Sequence, residues 1–401
     1  MKGPFKAVEV CKGIFWVGAI DWTLRDFHGY STGRGSTYNA YLIVAEHVTL
    51  VDTVKAPFLP EMMSRISSVI DPEKIEYIIT HHTEMDHSGA LPELLKLIHP
   101  KKLISSTTAV DAMQRHFHWD TPVTTVKDGE SMDLGGLSLT FLDTRMLHWP
   151  ESMMSYCPER GVLFSQDGFG MHLASSERFD DELPIHLLRF EAAKYYANIV
   201  MPFSPIVKRL LERVQGLNLD IRIIAPDHGP IWRGCIGDIV SWYAEWSERR
   251  AILKAVVVYD TMWGSSALMA RSVAEGLTSE GVSVKVMSLG ANHRSDVMTE
   301  ILDAGALIVG SPTINNNIFP TMVDLLVYMK GLKPAGLIGA AFGSFGWSGE
   351  SVKQLEGLLK DMKVEIVSDS VNVKYVPDAT DLDSCFALGV SVARKLHSLK
   401  S

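Results

Sequence analysis

The first half of the chain alternates short apolar runs of strand length with segments of helical periodicity. Strand-like runs cover residues 13–18, 38–44, 48–52, 77–79, 137–142, 161–165 and 221–225, and helical patterns cover residues 60–70, 90–98 and the second part of 103–117. Such periodicities separate buried strands from amphipathic helices. A last helical pattern passes into a linker near residue 253. We therefore predict a first domain of strands and helices over residues 1–250.

The second half shows a stricter alternation of apolar strands with helices. Near-continuous apolar runs cover residues 254–259, 282–287, 306–310 and 337–342, and a shorter run lies near residues 364–367. Strands of this kind, separated by helices, predict a parallel sheet that is covered on both faces. Ligands of such sheets bind beyond the carboxyl ends of the strands. We predict that this second domain spans residues 254–401.

Composition and charge disfavour a nucleic-acid-binding, membrane-spanning or secreted protein. A chain of 401 residues is long enough for two or three domains, and its net charge of -9 disfavours nucleic acid as the main partner. No apolar run is long enough to span a bilayer, and no secretory signal is present. Its four cysteines (Cys11, Cys157, Cys235 and Cys385) form no Cys-x-x-Cys pair and no disulfide framework. We expect a cytoplasmic protein without an iron–sulfur cluster.

A cluster of metal-capable side chains lies between the strand at residues 77–79 and the helix that follows. Its pattern is His-x-Glu-x-Asp-His, formed by His82, Glu84, Asp86 and His87, with His81 just before it. Alternate side chains of an extended loop project to the same side and can converge on one point. This stretch therefore predicts a site for two metal ions.

Three more candidate ligands lie at or near the ends of apolar strands. They are His148, Asp167 and His228. Alone, a histidine beside tryptophan and proline is usually a packed residue, and an aspartate at a strand end usually caps a turn. Following the cluster in the order His, Asp, His, they are better explained as distant members of the same metal site.

Three polar loops follow strands of the second domain. The first, residues 261–266, contains hydroxyls and a glycine before a predicted helix, which suits a phosphate group. The chain has neither the lysine of a Walker motif nor Gly-x-Gly-x-x-Gly, so a nucleoside triphosphate or a dinucleotide is disfavoured. The loops at residues 311–318 and 343–350 offer asparagine, glycine and aromatic residues to a flat heteroaromatic ring. One such loop alone could equally be an ordinary turn.

The order of metal-capable residues resembles the metallo-β-lactamase superfamily, which commonly has His-x-His-x-Asp-His. Here the second position is Glu84, a hard oxygen donor whose negative charge suits iron better than zinc. With glutamate at this position, and with the flavodoxin-like pattern downstream, the chain resembles the flavodiiron proteins. The resemblance implies a metallo-β-lactamase-like αββα sandwich followed by a flavodoxin-like doubly wound parallel sheet.

Site residues follow from this resemblance by position. His82, Glu84 and His148 would hold one iron, Asp86, His87 and His228 the other, and Asp167 would bridge them, whereas His81 has no counterpart and would be structural. His28 and Tyr196 match residues that line the substrate pocket of the family and could donate hydrogen bonds or protons, and His172 is a weaker candidate. The residues implied for FMN are Thr261, Met262, Trp263, Gly264, Ser265, Ser266, Pro312, Thr313, Ile314, Asn315, Asn316, Ser344, Phe345, Gly346, Trp347, Ser348 and Gly349.

The resemblance also implies a function. Two ferrous ions and reduced FMN together supply the four electrons that convert O2 to water, and two electrons convert two NO molecules to N2O. Electrons would come from a separate protein, a rubredoxin or a similar small carrier. The family further implies a head-to-tail homodimer, alone or paired into a dimer of dimers.

Several alternatives remain open from the sequence. A zinc hydrolase fused to a flavodoxin would prefer a neutral ligand to Glu84, and an electron carrier with a vestigial metal domain would not need a full ligand set. The same diiron–flavin enzyme could take electrons from a reduced deazaflavin instead of rubredoxin. The ligands do not distinguish O2 from NO as substrate.

Overall fold

The protein, described by a computed structural model over residues 3–399, forms two compact units. The first contains the chain up to His28, Thr32–Tyr195 and Phe203–Ala244. The second contains Gly29–Ser31, Tyr196–Pro202 and the chain from Glu245 onward. Two short segments of the first half thus belong to the second unit. The outermost residues of the predicted domains, 1–2 and 400–401, lie outside the described residues.

Short strands dominate the first 250 residues. They are β1 (Val8–Cys11), β2 (Ile14–Trp16), β3 (Ala19–Asp21), β4 (Asp26–Phe27), β5 (Tyr30–Ser31), β6 (Ser36–Tyr38), β7 (Tyr41–Ile43), β8 (Thr49–Val51), β9 (Tyr77–Ile79), β10 (Lys102–Ser106), β11 (Val123–Val126), β12 (Ser131–Asp133), β13 (Ser138–Asp143), β14 (Met153–Cys157), β15 (Val162–Gln166) and β16 (Ile223–Pro226).

Helices connect these strands. They are α1 (Leu59–Ser67), α2 (Met85–Ser88), α3 (Leu91–Leu97), α4 (Ala109–Phe117), α5 (Ile185–Tyr195), α6 (Ser204–Gly216) and α7 (Ile236–Glu248). A π-helix, Tyr196–Val200, follows α5 directly. Proline at the start of α1, α3 and α6 fits the first turn, where its missing N–H has no intrahelical partner to lose.

Two large sheets form the core of the first unit, beside the two-stranded sheet β3-β6. One has the strand order β1-β2-β7-β8-β9-β10-β11, and the other runs from β12 to β16 in chain order. Successive side chains of a strand point to opposite faces, so Ile79 and Phe164 share a core contributed by both sheets, whereas Ile78 packs with residues of α1, α3 and α4 such as Leu94. The first sheet is therefore buried on both faces, which explains its continuous apolar runs.

The second unit has its own strands and helices. They are β17 (Lys254–Tyr259), β18 (Ser283–Ser288), β19 (Ala306–Ile314), β20 (Asn317–Ile318), β21 (Ile338–Phe345), β22 (Glu365–Ile366) and β23 (Val371–Lys374), with α8 (Ser265–Ser279), α9 (Arg294–Ile301), α10 (Pro320–Leu332), α11 (Glu350–Asp361) and α12 (Ala379–Ser398).

A parallel sheet is the centre of this unit. Its order is β18-β17-β19-β21-β22, and every neighbouring pair on this path is parallel. Val257 and Ile308 pack against α8 and α12, while Val256 and Leu307, on the opposite face, are also fully buried. The strand order reverses between β17 and β19, which places a ligand crevice at their carboxyl ends.

A tight hairpin shapes one loop at that edge. Asn315 and Asn316 have φ angles of 49° and 60° and connect β19 to β20. Two-residue hairpins favour turns in which both residues have positive φ, and asparagine tolerates this conformation. The segment that the sequence predicts as a plain loop therefore contains a β-hairpin. Within residues 3–399, no helix combines the length and apolar character that crossing a membrane requires.

Close packing of α8 on α12 gives a testable prediction about stability. A Cβ on Gly276 would lie 2.1 Å from the backbone oxygen of Phe386, so the helices would have to separate. We expect Gly276→Ala to lower the free energy of unfolding by about 1–3 kcal/mol, measured by denaturant titration. The matched control is Gly357→Ala in α11, where a Cβ meets nothing within 4 Å; it should be neutral or stabilising by up to about 1 kcal/mol. Equal stability of the two variants would contradict the packing.

Candidate metal centre and flavin site

The metal-capable loop is fixed at its start by His81. The backbone N–H of His81 donates to Asp52 Oδ1 at 2.7 Å, and its Nδ1 lies 2.7 Å from Asp52 Oδ2. Its Nε2 lies 2.9 Å from Ser155 Oγ. Both ring nitrogens therefore have protein partners, and α2 begins three residues after His82 with Glu84 as its N-cap.

The seven predicted ligands form two buried groups. One group contains His82, Glu84, His148 and Asp167, and the other contains Asp86, His87 and His228; within each group the donor atoms lie within 4.8 Å of one another. In the first group, Glu84 Oε2 lies 3.3 Å from His82 Nε2 and 3.4 Å from His148 Nε2. In the second, His228 Nε2 lies 3.2 Å from Asp86 Oδ2. Residues from four separate chain segments thus converge on two adjacent points.

Asp167 faces both groups. Its Oδ2 lies 3.0 Å from His148 Nε2 and 3.5 Å from His82 Nε2. Its Oδ1 lies 3.2 Å from His87 Nε2 and 3.5 Å from His228 Nε2. One carboxylate oxygen per group is the arrangement that a bridge between two metal ions requires.

The spacing of the donor atoms suits coordination of metal ions better than hydrogen bonding among the side chains. Both carboxylate oxygens of Asp86, both ring nitrogens of His87 and Oδ1 of Asp167 are buried without a hydrogen bond, although His87 Nε2 lies 3.4 Å from Asp86 Oδ1. Atoms bound to one metal at about 2.1 Å are about 3 Å apart. Buried polar atoms are costly unless they have a partner, and metal ions at both points would provide one.

Electrostatics in the pocket favour charged carboxylates. Burial opposes ionisation of Asp167, but His87, His148 and His82 together outweigh it and hold the pKa of that carboxyl well below its usual range. Burial alone would lower the pKa of His82, but hydrogen bonds to Glu151 and Glu84 raise it to about 10. In the metal-free protein, imidazoles therefore hold protons that a metal must displace, so metal binding should release protons.

Residues around the ligands orient the imidazoles. His82 Nδ1 lies 3.0 Å from Glu151 Oε1, and His228 Nδ1 lies 2.6 Å from the backbone oxygen of Thr37. His172 is buried beside the second group, with its Nδ1 2.8 Å from Ser36 Oγ. Sequence reasoning did not find Glu151, because no fixed spacing relates a histidine to a partner 69 residues away.

Of the two predicted pocket residues, His28 lies beside the metal groups and Tyr196 packs elsewhere. His28 Nε2 lies 3.6 Å from Glu84 Oε1, with 77% of its side chain exposed, at the edge of the first metal group. The predicted Tyr196, however, packs its ring against Trp246. Its neighbour Tyr195 contacts the histidines instead, with ring centroids 5.2 Å from His172 and 6.2 Å from His228. Consecutive helical residues point about 100° apart, so only one of two adjacent tyrosines can face the site.

A cavity of about 550 Å³ lies at the carboxyl edge of the parallel sheet. Tyr375 and Val376, which follow β23, line it and were not predicted. Of the predicted residues, Gly264 and Gly349 precede α8 and α11, and Ser266 is buried 3.2 Å from Ser344 Oγ. The predicted residues that line the cavity are Thr261, Met262, Trp263, Ser265, Pro312, Thr313, Ile314, Asn315, Asn316, Ser344, Phe345, Gly346, Trp347 and Ser348.

This cavity suits a flavin mononucleotide. Its volume lies within the roughly 300–1,000 Å³ typical of cofactor sites. The first loop leads into the N-terminus of α8, which favours a phosphate. Trp263 and Trp347 line the cavity with 95% and 88% of their surface exposed, so their rings are available to a flat aromatic partner.

A buried two-metal site in a two-sheet domain, followed by a doubly wound domain with a flavin-sized cavity, defines a metal-dependent flavoprotein. Family models match both parts: the ODP family beta lactamase over residues 37–229 and flavodoxin over residues 257–389. The chain is 46% identical to a nitric oxide reductase of Moorella thermoacetica, covering 97% of this chain and 98% of that protein.

Solved structures agree over nearly the whole chain. The rubredoxin oxygen:oxidoreductase of Desulfovibrio gigas is 46% identical with a TM-score of 0.96, covering 98% of this chain and 99% of that one. The flavodiiron protein of Giardia intestinalis is 31% identical with a TM-score of 0.94, covering 99% and 98%. The chain belongs to the flavodiiron protein family. The predicted fold class, the oxidoreductase class and the predicted cofactors, FMN and two irons, are thereby confirmed.

Proposed function

We propose that this protein reduces O2 to water and NO to N2O with electrons that pass from a separate redox protein through FMN to the diiron site. The observation that carries the proposal is the pair of buried metal groups joined by Asp167, in one chain with a flavin-sized cavity. When bound, two ferrous ions and reduced FMN supply four electrons, which with four protons convert O2 to two waters. Two of those electrons suffice for two NO molecules.

The donor set favours iron over zinc. Glu84, Asp86 and Asp167 supply three carboxylates to two metal ions, and histidines supply the remaining donors. Hard, charged oxygen donors stabilise the higher oxidation state of a redox metal, whereas zinc has no second oxidation state for them to stabilise. We therefore assign His82, Glu84 and His148 to one iron, Asp86, His87 and His228 to the other, and Asp167 to both.

Tyr195 and His28 supply a hydrogen bond and a path for protons to the metal groups. Burial, reinforced by the negative charge of Asp167, raises the pKa of Tyr195 well above its ordinary value, so its phenol keeps its proton and can donate a hydrogen bond beside the second metal group. His28 is exposed and lies beside Glu84, so it can pass protons from solvent to the first group.

The electron donor and the assembly are part of the proposal. Exposed tryptophans line a flavin cavity that another protein can approach, and we propose a small rubredoxin-type carrier as the donor. A head-to-tail homodimer, which the family resemblance implies, is proposed as the working assembly. The four cysteines are free thiols, which supports a reducing cytoplasm as the location.

Cofactor content and parallel turnover test the function directly. We expect well-loaded protein to contain about one FMN and two irons per chain and to consume both O2 and NO with reduced rubredoxin. The same assay with a reduced deazaflavin as the only donor tests the alternative electron source. Protein that contains zinc instead of iron and turns over neither gas would contradict the proposal.

A further inference from the structure

A buried carboxylate outside the ligand set contacts the metal loop. Glu151 is 2% exposed, and its Oε1 receives three hydrogen bonds. The donors are His82 Nδ1 at 3.0 Å, the Thr83 backbone N–H at 3.1 Å and Thr83 Oγ1 at 2.7 Å. The backbone oxygen of Glu151 accepts a further bond from Ser106 Oγ at 2.8 Å, so the residue is fixed at both ends.

The second metal group has a different environment among the described residues. His228 Nδ1 lies 2.6 Å from the backbone oxygen of Thr37, a neutral acceptor. His87 Nδ1 lies 3.5 Å from Asp227 Oδ2 and forms no hydrogen bond. A hydrogen bond from a ligating imidazole to a carboxylate fixes its tautomer and raises its basicity. Within residues 3–399, a carboxylate accepts a hydrogen bond from a ligating imidazole at Nδ1 in the first group, whereas Asp227 lies beside His87 in the second group without forming such a bond.

We propose that Glu151 is a positioning residue that makes the two irons inequivalent, an inference that rests on the diiron function proposed above. By accepting a hydrogen bond from the Nδ1–H of His82, it leaves Nε2, which lies 3.3 Å from Glu84 and 3.5 Å from Asp167, as the atom that binds the metal. The added basicity places more electron density on the iron of the first group. That iron should bind more tightly and be harder to reduce than the iron of the second group.

A purely structural role would act through Thr83 instead. Thr83 Oγ1 shares the same acceptor oxygen but does not touch an imidazole. Thr83→Val therefore removes a loop contact and leaves the bond between His82 and Glu151. Glu151→Gln keeps the shape and an acceptor oxygen but removes the charge, and Glu151→Asp keeps the charge on a shorter side chain.

The test compares these variants as full-length proteins loaded with iron-57 and FMN. In Glu151→Gln we expect one of two Mössbauer quadrupole doublets to shift, and one iron per chain to be lost to a ferrous chelator with about 10–100-fold weaker affinity. The Thr83→Val spectrum should match that of the parent protein. The Glu151→Asp spectrum should lie closer to the parent than the Glu151→Gln spectrum does, because aspartate keeps the charge. FMN content and circular dichroism verify folding.

Each outcome has a defined meaning. An unchanged Glu151→Gln spectrum, equal shifts of both doublets, or the same shift in Thr83→Val would overturn the role of Glu151 and leave the diiron function standing. A parent protein that binds no pair of irons would overturn both proposals. If Glu151→Gln fails to fold, the parent protein decides the question: a single doublet for both irons, with both irons lost to the chelator at equal affinity, would overturn the inference.

Discussion

Asp167→Ala is expected to remove iron from both metal groups and to abolish turnover of O2 and NO. Its two carboxylate oxygens face different groups, so its loss affects both. Its loss removes one negative charge from a pocket in which burial makes every uncompensated charge costly. The effect should exceed the roughly 10–100-fold loss typical of residues that only support a ligand.

Iron and FMN content, with steady-state consumption of each gas, measure this effect. FMN should remain near one per chain, because the flavin cavity is lined by residues of the second unit. Asp133→Ala, an exposed aspartate at the end of β12, is the matched control and should keep both irons. Asp167→Asn separates charge from shape and should lose iron as well. Full iron content in either Asp167 variant would contradict a bridging role.

Much of this architecture follows from local patterns. The apolar run at 254–259 coincides with β17, and the loops after β17, β19 and β21 contribute to one cavity, since the carboxyl ends of parallel strands share an edge. The ligand motif could be recognised because its members are close in sequence. His148, Asp167 and His228 could be added because each follows an apolar strand.

The missed features depend on contacts between distant segments. Glu151 reaches His82 only because the loop after His148 folds back over the loop after β9. Tyr195 and Tyr196 are adjacent and chemically identical, so helix rotation alone decides which of them faces the histidines. Tyr375 enters the flavin cavity because β23 pairs with β21, and no local pattern specifies that pairing.

Glu84→His is expected to convert the first metal group from an iron site to a zinc-preferring site. Imidazole can still supply one nitrogen donor, so a metal should remain bound. The change replaces a charged oxygen, 3.3 Å from His82 Nε2 and 3.4 Å from His148 Nε2, with a neutral nitrogen. Neutral nitrogen donors suit zinc and stabilise ferric iron less than a carboxylate does.

Metal content, the midpoint potential of the iron and the turnover rate measure the effect of Glu84→His. Protein produced with equal supplies of iron and zinc should gain zinc, the midpoint potential of the remaining iron should rise, and turnover should fall by at least about tenfold. Glu84→Gln is the matched control: it removes the charge but keeps an oxygen donor, so a loss of turnover in both variants assigns the effect to charge. A Glu84→His protein that keeps its iron and consumes oxygen at the parent rate would show that this carboxylate does not tune the site, and the preference for iron would then have to come from Asp86 and Asp167.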